Sequence, residues 1–215
     1  MNADGSGQRQ VTKDTTGFSW QPRWFPDGRR ILFLWSQKDS TGKAVTGVHE
    51  LRIINLDGSG ERLVVRKYAQ TPEVSPDGSM LSFTCGDSGY IVNADGSGLR
   101  PLVPSEPGLP IERVSWSADW DYVVFSAKYD NVVHLFVVNR DGSGKKLLTE
   151  FNGGHLLGYG WSPDGKRIAF SYGSGQPGSV AGGALYVINA EGTDLKKITD
   201  DLGAFTEVHW VPVSQ

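Results

Sequence analysis

Residues 161–171 read WSPDGKRIAFS, and this stretch decides how the whole chain folds. Pro-Asp-Gly is turn chemistry: Pro presets φ, Asp bonds its own backbone and Gly supplies positive φ. An apolar/polar alternation through Ile168 and Phe170 follows, the period-two signature of a half-buried strand. The unit recurs as Trp24-Phe-Pro-Asp-Gly28, Val74-Ser-Pro-Asp-Gly78 and, weakened, Trp116-Ser-Ala-Asp-Trp120. Six residues after each of its aspartates stands a phenylalanine: Phe33, Phe83, Phe125 and Phe170.

A second motif alternates with the first. Asn55-Leu-Asp-Gly-Ser-Gly60 repeats as Asn93-Ala-Asp-Gly-Ser-Gly98, as Asn139-Arg-Asp-Gly-Ser-Gly144 and, from Asn2, at the very start of the chain. A looser copy runs Asn189-Ala-Glu-Gly-Thr-Asp194. Nine residues after each asparagine comes an aliphatic: Val11, Val64, Leu102, Leu148 and Ile198. The copies recur at an average of about 47 residues, inside the range of propeller blades. Each period reads as four strands. Strand A ends before Pro-Asp-Gly, strand B carries the phenylalanine, strand C ends at the asparagine, and strand D follows the Asp-Gly-Ser-Gly turn. No stretch sustains a 3.6 period, so the expectation is all-β, a β-propeller of four-stranded antiparallel blades.

WSPDGKRIAFS and the LYVINAEGT stretch (185–193) of the fourth repeat resemble the TolB-like family of WD-repeat-like propellers. The resemblance covers essentially the whole chain. It implies the propeller fold and a periplasmic or secreted setting. It also implies one of three roles: the propeller of a bacterial envelope system, a lyase acting on uronate oligosaccharides, or the gating propeller of a prolyl-oligopeptidase-type serine peptidase. The expected organisation is a single domain over 1–215, made of four near-complete blades and a split partial fifth. Partial blades cover 1–17 and 201–215, with full blades at about 18–66, 67–104, 105–150 and 151–200. The segment Gln8–Thr12 would be a strand D and Phe205–Trp210 a strand A. The chain therefore reads either as a piece of a longer propeller, the favoured expectation, whose open blade edges would self-associate, or as a ring whose ends pair across a reduced closing blade.

Composition narrows the partners. The chain has 215 residues with 21 Lys+Arg against 24 Asp+Glu and a net charge of −3, without a run of either sign. Clustered cations for a nucleic-acid groove are therefore lacking. No apolar run approaches a membrane span and no leader peptide is visible. The single cysteine excludes an internal disulfide, and the 28 glycines suit tight turns. Several strings imitate active sites and fail on context. Gly86-Asp-Ser-Gly89 resembles a serine-protease nucleophile segment but reads as the link between strands B and C. Gly173–Gly178 matches a dinucleotide fingerprint without the helix that must follow. The N-x-D-G-S-G turns open like an EF-hand loop without its helices. His49, His134, His155 and His209 have no metal-binding spacing, so neither a metal nor another cofactor is expected.

Two places remain for function. The B–C and D–A loops share one face of the disk, and Ser36–Glu50 and Gly173–Gly183 are the long ones, near Tyr68, Tyr129 and His155. Variable loops on a rigid scaffold are where binding is usually built. Strand A, innermost in each blade, alternates apolar positions with Gln21/Arg23, Thr71/Glu73, Arg113/Ser115, Gly158/Gly160 and Glu207/His209. Polar residues are tolerated there when they face a wet channel or pair across it. The candidate ligand-binding residues are Arg23, Glu73, Arg113, Glu207, His209 and His155, and no catalytic residue is assigned. The expectation is a non-catalytic scaffold for a protein or a small polar or carbohydrate ligand. Trp24, Trp116, Trp161 and Trp210 should lie between blades, each near a strand-B phenylalanine.

Overall fold

The computed structural model describes residues 4–45, 47, 49–103, 109–173, 183–199, 208 and 210. They form four four-stranded antiparallel sheets and no helix. The first sheet is β1 (Gly17–Trp24), β2 (Arg30–Gln37), β3 (His49–Asn55) and β4 (Arg62–Lys67). The second is β5 (Gln70–Val74), β6 (Met80–Cys85), β7 (Ser88–Asn93) and β8 (Arg100–Pro101). The third is β9 (Ile111–Trp116), β10 (Tyr122–Tyr129), β11 (Val132–Asn139) and β12 (Lys146–Leu147). The fourth is β13 (His155–Trp161), β14 (Arg167–Gly173), β15 (Gly183–Asn189) and β16 (Lys196–Lys197). Each sheet runs in simple A-B-C-D order. Gly86 and Asp87 are the two-residue turn between β6 and β7, with Gly86 at φ 57°. Residues 8–12, expected as a strand D, form no strand, although Val11 packs against the cluster of Phe33, Trp35 and Ile54. Of Phe205–Trp210 only Val208 and Trp210 lie within the described residues.

Apolar alternation puts a greasy surface on both sides of each sheet, and the sheets bury these surfaces against each other. Leu32, Leu34, Leu51 and Ile53 of the first blade meet Leu81, Phe83 and Val92 of the second. Ile91 and Leu102 of the second meet Trp116 and Phe125 of the third. Val124, Leu135 and Val137 of the third meet Tyr159, Phe170 and Ile188 of the fourth. Trp116 is 7% exposed between blades as expected, whereas Trp24 is 60% exposed, because no described blade covers its side. Phe83–Tyr90, Phe125–Phe136 and Phe170–Tyr186 stack across strands B and C at 5.5, 5.2 and 5.4 Å. Blade one departs from this: Phe33 pairs with Arg52, whose guanidinium lies 3.8 Å over Trp35 and bonds Glu50 and Glu61.

The repeated turns are built alike. Ser59 donates its N–H and Oγ–H to Asp57 at 2.8 and 2.6 Å, while Asn55 Nδ2 donates to the Ser59 hydroxyl at 3.1 Å. Asn93–Ser97 and Asn139–Ser143 reproduce this geometry. These turns also join the blades at their outer rim. Seven residues after each of the first four motif asparagines stands a cation that reaches a turn carbonyl of the next blade. Arg9 donates to Leu56, Arg62 to Ala94, Arg100 to Arg140 and Asp141, and Lys146 to Glu191. At the inner edge the donors run the other way. Tyr159 Oη donates to Arg113 O at 2.8 Å, Trp161 Nε1 to Ser115 O at 3.2 Å and Trp210 Nε1 to Gly160 O at 3.1 Å.

Three expectations follow from this geometry. Gly5 and Gly142 occupy the same turn position at φ +83° and +89°, but an added Cβ meets nothing at Gly5 and Leu102 O at 2.3 Å at Gly142. Gly5→Ala should cost about 1 kcal/mol from left-handed strain alone, and Gly142→Ala about 2–4 kcal/mol once the clash with the neighbouring blade is added. Equal shifts in urea denaturation would refute the close packing of turn on blade. Tyr159→Phe strands a buried carbonyl and should cost about 1–3 kcal/mol in the same assay; an unchanged midpoint would mean that the bond adds nothing. The serine hydroxyls, and then the serine N–H groups, hold Asp57, Asp95 and Asp141 below the usual carboxylate range. A folded-state value below the unfolded one gives stability that is present above the unfolded pKa and lost as pH falls through the folded one. The melting temperature should therefore drop as pH falls below about 4, and Asp95→Asn should flatten that slope. A slope that the substitution leaves unchanged would remove the turns as its source.

Candidate functional site

The four A strands converge on a cavity of about 630 Å³. Arg23 of β1, Glu73 of β5 and Arg113 of β9 line it, together with Ser115, Tyr159, Gly160 and the indoles of Trp116, Trp161 and Trp210. Its volume falls within the range of small-molecule pockets. Strand alternation brings these residues together: positions two apart on a strand share a face, and the A strands are laid side by side by the blade packing.

The charged groups are loosely held. Arg23 Nε lies 3.5 Å from Glu73 Oε1, and Arg23 Nη1 donates to its neighbour's carbonyl, Pro22 O, at 3.2 Å. Burial pushes the Glu73 carboxyl up, against the opposing pull of Arg23 and, less strongly, of Arg113. The Arg113 guanidinium sits 5.2 Å from the centre of the Tyr159 ring. Burial raises the Tyr159 phenol well above its ordinary range, so its hydroxyl stays a proton donor, committed to Arg113 O.

Three of the six candidate residues therefore meet: Arg23, Glu73 and Arg113. His155 does not line the cavity; it begins β13 opposite Gly173, at the loop end of its blade. Glu207 and His209 lie outside the described residues. Tyr159 went unrecognised because its place in the repeat is an apolar one; a phenol among the prolines and valines of that column (Pro22, Pro72, Val114, Val208) was the available signal. On the loop face, Tyr68 and Tyr129 are exposed, and His49 packs between Trp20 and Tyr68 at 4.8 and 4.4 Å. Of the long loops, most of Ser36–Glu50 is described and most of Gly173–Gly183 is not. A further charged cluster was not foreseen: Glu50, 4% exposed, is gripped by Arg52 at 2.6 Å and Arg66 at 2.7 Å beside a small cavity lined by Trp35.

No family model matches the chain. An uncharacterized protein of Agrobacterium fabrum is 24% identical over 188 residues, covering 79% of this chain and 59% of that protein. Among solved structures, an oligogalacturonate lyase in complex with manganese superimposes with a TM-score of 0.70 at 14% identity, over 89% of this chain and 56% of the other. TolB from Acinetobacter baumannii gives a TM-score of 0.63 at 18% identity, over 92% of this chain and 47% of the other. The chain thus spans between 47% and 59% of the length of these proteins. With four antiparallel four-stranded sheets packed face to face, its fold is that of the TolB-like β-propellers.

Proposed function

We propose that the chain is a non-catalytic binding scaffold of the TolB-like type, presenting its variable loops and polar central cavity to a protein or a small polar ligand in the periplasm or outside the cell. The carrying observation is the cavity itself: three charged residues from three blades stand around a space walled by indoles. Among the described lining residues there is no histidine or cysteine, and the Ser162 hydroxyl is committed to Asp164 within its own turn, so no nucleophile stands there with a histidine base. The likeness to TolB supports the setting and the binding role.

The likeness to a manganese-bound lyase favours a second reading, in which the cavity cleaves uronate oligosaccharides. The described residues do not fit a divalent cation. No three histidine, cysteine or acidic side chains gather among them, and the cavity's one described carboxylate is tied to Arg23. Elemental analysis of the purified protein, joined to an oligogalacturonide assay that follows unsaturated product by ultraviolet absorbance, separates the two. The expected result is no stoichiometric metal and no product; turnover with bound metal would end the scaffold reading.

A further inference from the structure

Among the described residues around the cavity the charges do not balance: two guanidinium groups face one carboxylate. Glu73 faces Arg23 at 3.5 Å, a single long contact rather than a two-pronged pair. Arg113 stands on the other side of Glu73 and pulls on it only at longer range. Among the described residues, no hydrogen bond or ion pair reaches the Arg113 guanidinium, although the residue is half-buried. Its Cζ carbon lies 5.2 Å from the centre of the Tyr159 ring, and Tyr159 is itself fixed by burial and by its bond to Arg113 O. The guanidinium thus stands beside an aromatic ring with its N–H donors uncommitted among the described residues.

A partly desolvated guanidinium with no direct ion pair is costly, and planar oxyanions match its fork. Building on the binding-scaffold reading, we propose that the cavity takes the anionic oxygen group, carboxylate or phosphate, of a small molecule, with Arg113 as its anchor and Glu73 as the resident counter-ion that competes with it. Arg23 is released to the ligand as its contact with Glu73 loosens. The rest of the ligand lies against Trp116, Trp161, Trp210 and Pro163, so a ring or short apolar body fits better than a free inorganic ion.

The three cavity indoles make intrinsic fluorescence a direct readout. Glucuronate, glucose and inorganic phosphate are titrated into the protein at low and high salt. Binding of glucuronate at least about tenfold tighter than glucose, and weakening with salt, is the expected result. Tighter binding of inorganic phosphate than of glucuronate would overturn the placing of a ring or apolar body against the indoles. Arg113→Gln should lower the affinity for the anion about tenfold or more, since the charge-assisted hydrogen bonds are lost. Arg113→Lys keeps the charge without the fork and should fall between. Glu73→Gln removes the competing carboxylate and should tighten the anion. Circular dichroism melts confirm that each variant is folded.

Equal affinity for glucuronate and glucose would overturn the anion assignment while leaving the cavity as a polar-ligand site. So would an Arg113→Gln protein that binds the anion as the wild type does. Binding of no probe would also overturn it, leaving the loop face as the scaffold's binding surface.

Discussion

A four-stranded sheet with apolar residues on both faces has no stable existence in water, and every other feature of this molecule follows from how that exposure is relieved. Within a sheet the ladder satisfies backbone groups but hides neither face. Only another sheet of the same kind, laid against it, buries Leu32, Leu34 and Leu51 on one side and Phe83 and Val92 on the other. The repeat is therefore a physical necessity as well as a pattern in the sequence: a unit that cannot bury its faces alone gains stability from copies of itself. The same requirement explains the strict spacing from the turn aspartate to the strand-B phenylalanine. A slip of one residue would turn the whole apolar set to the wrong face.

Burial brings the blades together without specifying their angle; the polar contacts at the two rims do that. At the outer rim a strand-D cation reaches forward to a turn carbonyl of the next blade, and at the inner edge Tyr159, Trp161 and Trp210 reach back to the previous strand A. Opposed reaches at the two ends of a contact fix both separation and rotation. Trp116 has the packing without the bond, its Nε1 being buried and without a partner among the described residues. Blade one shows what happens where the outward aromatic stack is replaced. Arg52 stands where the other blades carry Tyr90, Phe136 and Tyr186, and a buried carboxylate, Glu50, is brought in to neutralise it. Removing Glu50 alone would leave two guanidinium groups beside an apolar face, so this network defines a surface more than it adds stability.

The blade architecture was legible from the turns because Asn-x-Asp-Gly-Ser-Gly closes on itself: Asp57, Ser59 and Asn55 need no distant partner to form their bonds. Strand faces were legible from alternation. What alternation cannot supply is the identity of the neighbour across a face. Trp24 shares its column with Trp116 yet is open to solvent, because exposure depends on whether another blade is present. Tyr159 was read as apolar because its column is apolar, and its hydroxyl gains meaning only when Arg113 O comes within 2.8 Å. His155 was placed near the channel from its chain position, but a strand is long enough to separate its start from the cavity that its end helps to line.

The cavity owes its geometry to the backbone more than to the charges inside it. Each A strand breaks register shortly before its inner residues: between Trp20 and Arg23, between Gln70 and Glu73, opposite Ser126 and Ala127, and between Leu156 and Gly158. Bulges re-aim the side chains that follow them and recur beside functional sites. In the first two blades the bulge also carries strain, since Gln21 and Thr71 take φ of 49° and 46° directly before a proline. For a β-branched residue such as Thr71 that region is a true outlier, held here by its hydroxyl contact with Thr84 at 3.0 Å. Two residues on lies Glu73, whose only direct partner among the described residues is Arg23, at 3.5 Å. Because strand and bulge fix where Arg23 and Glu73 emerge, their ion pair need not be strong to hold the site open, and a loose pair leaves the guanidinium groups available to something else.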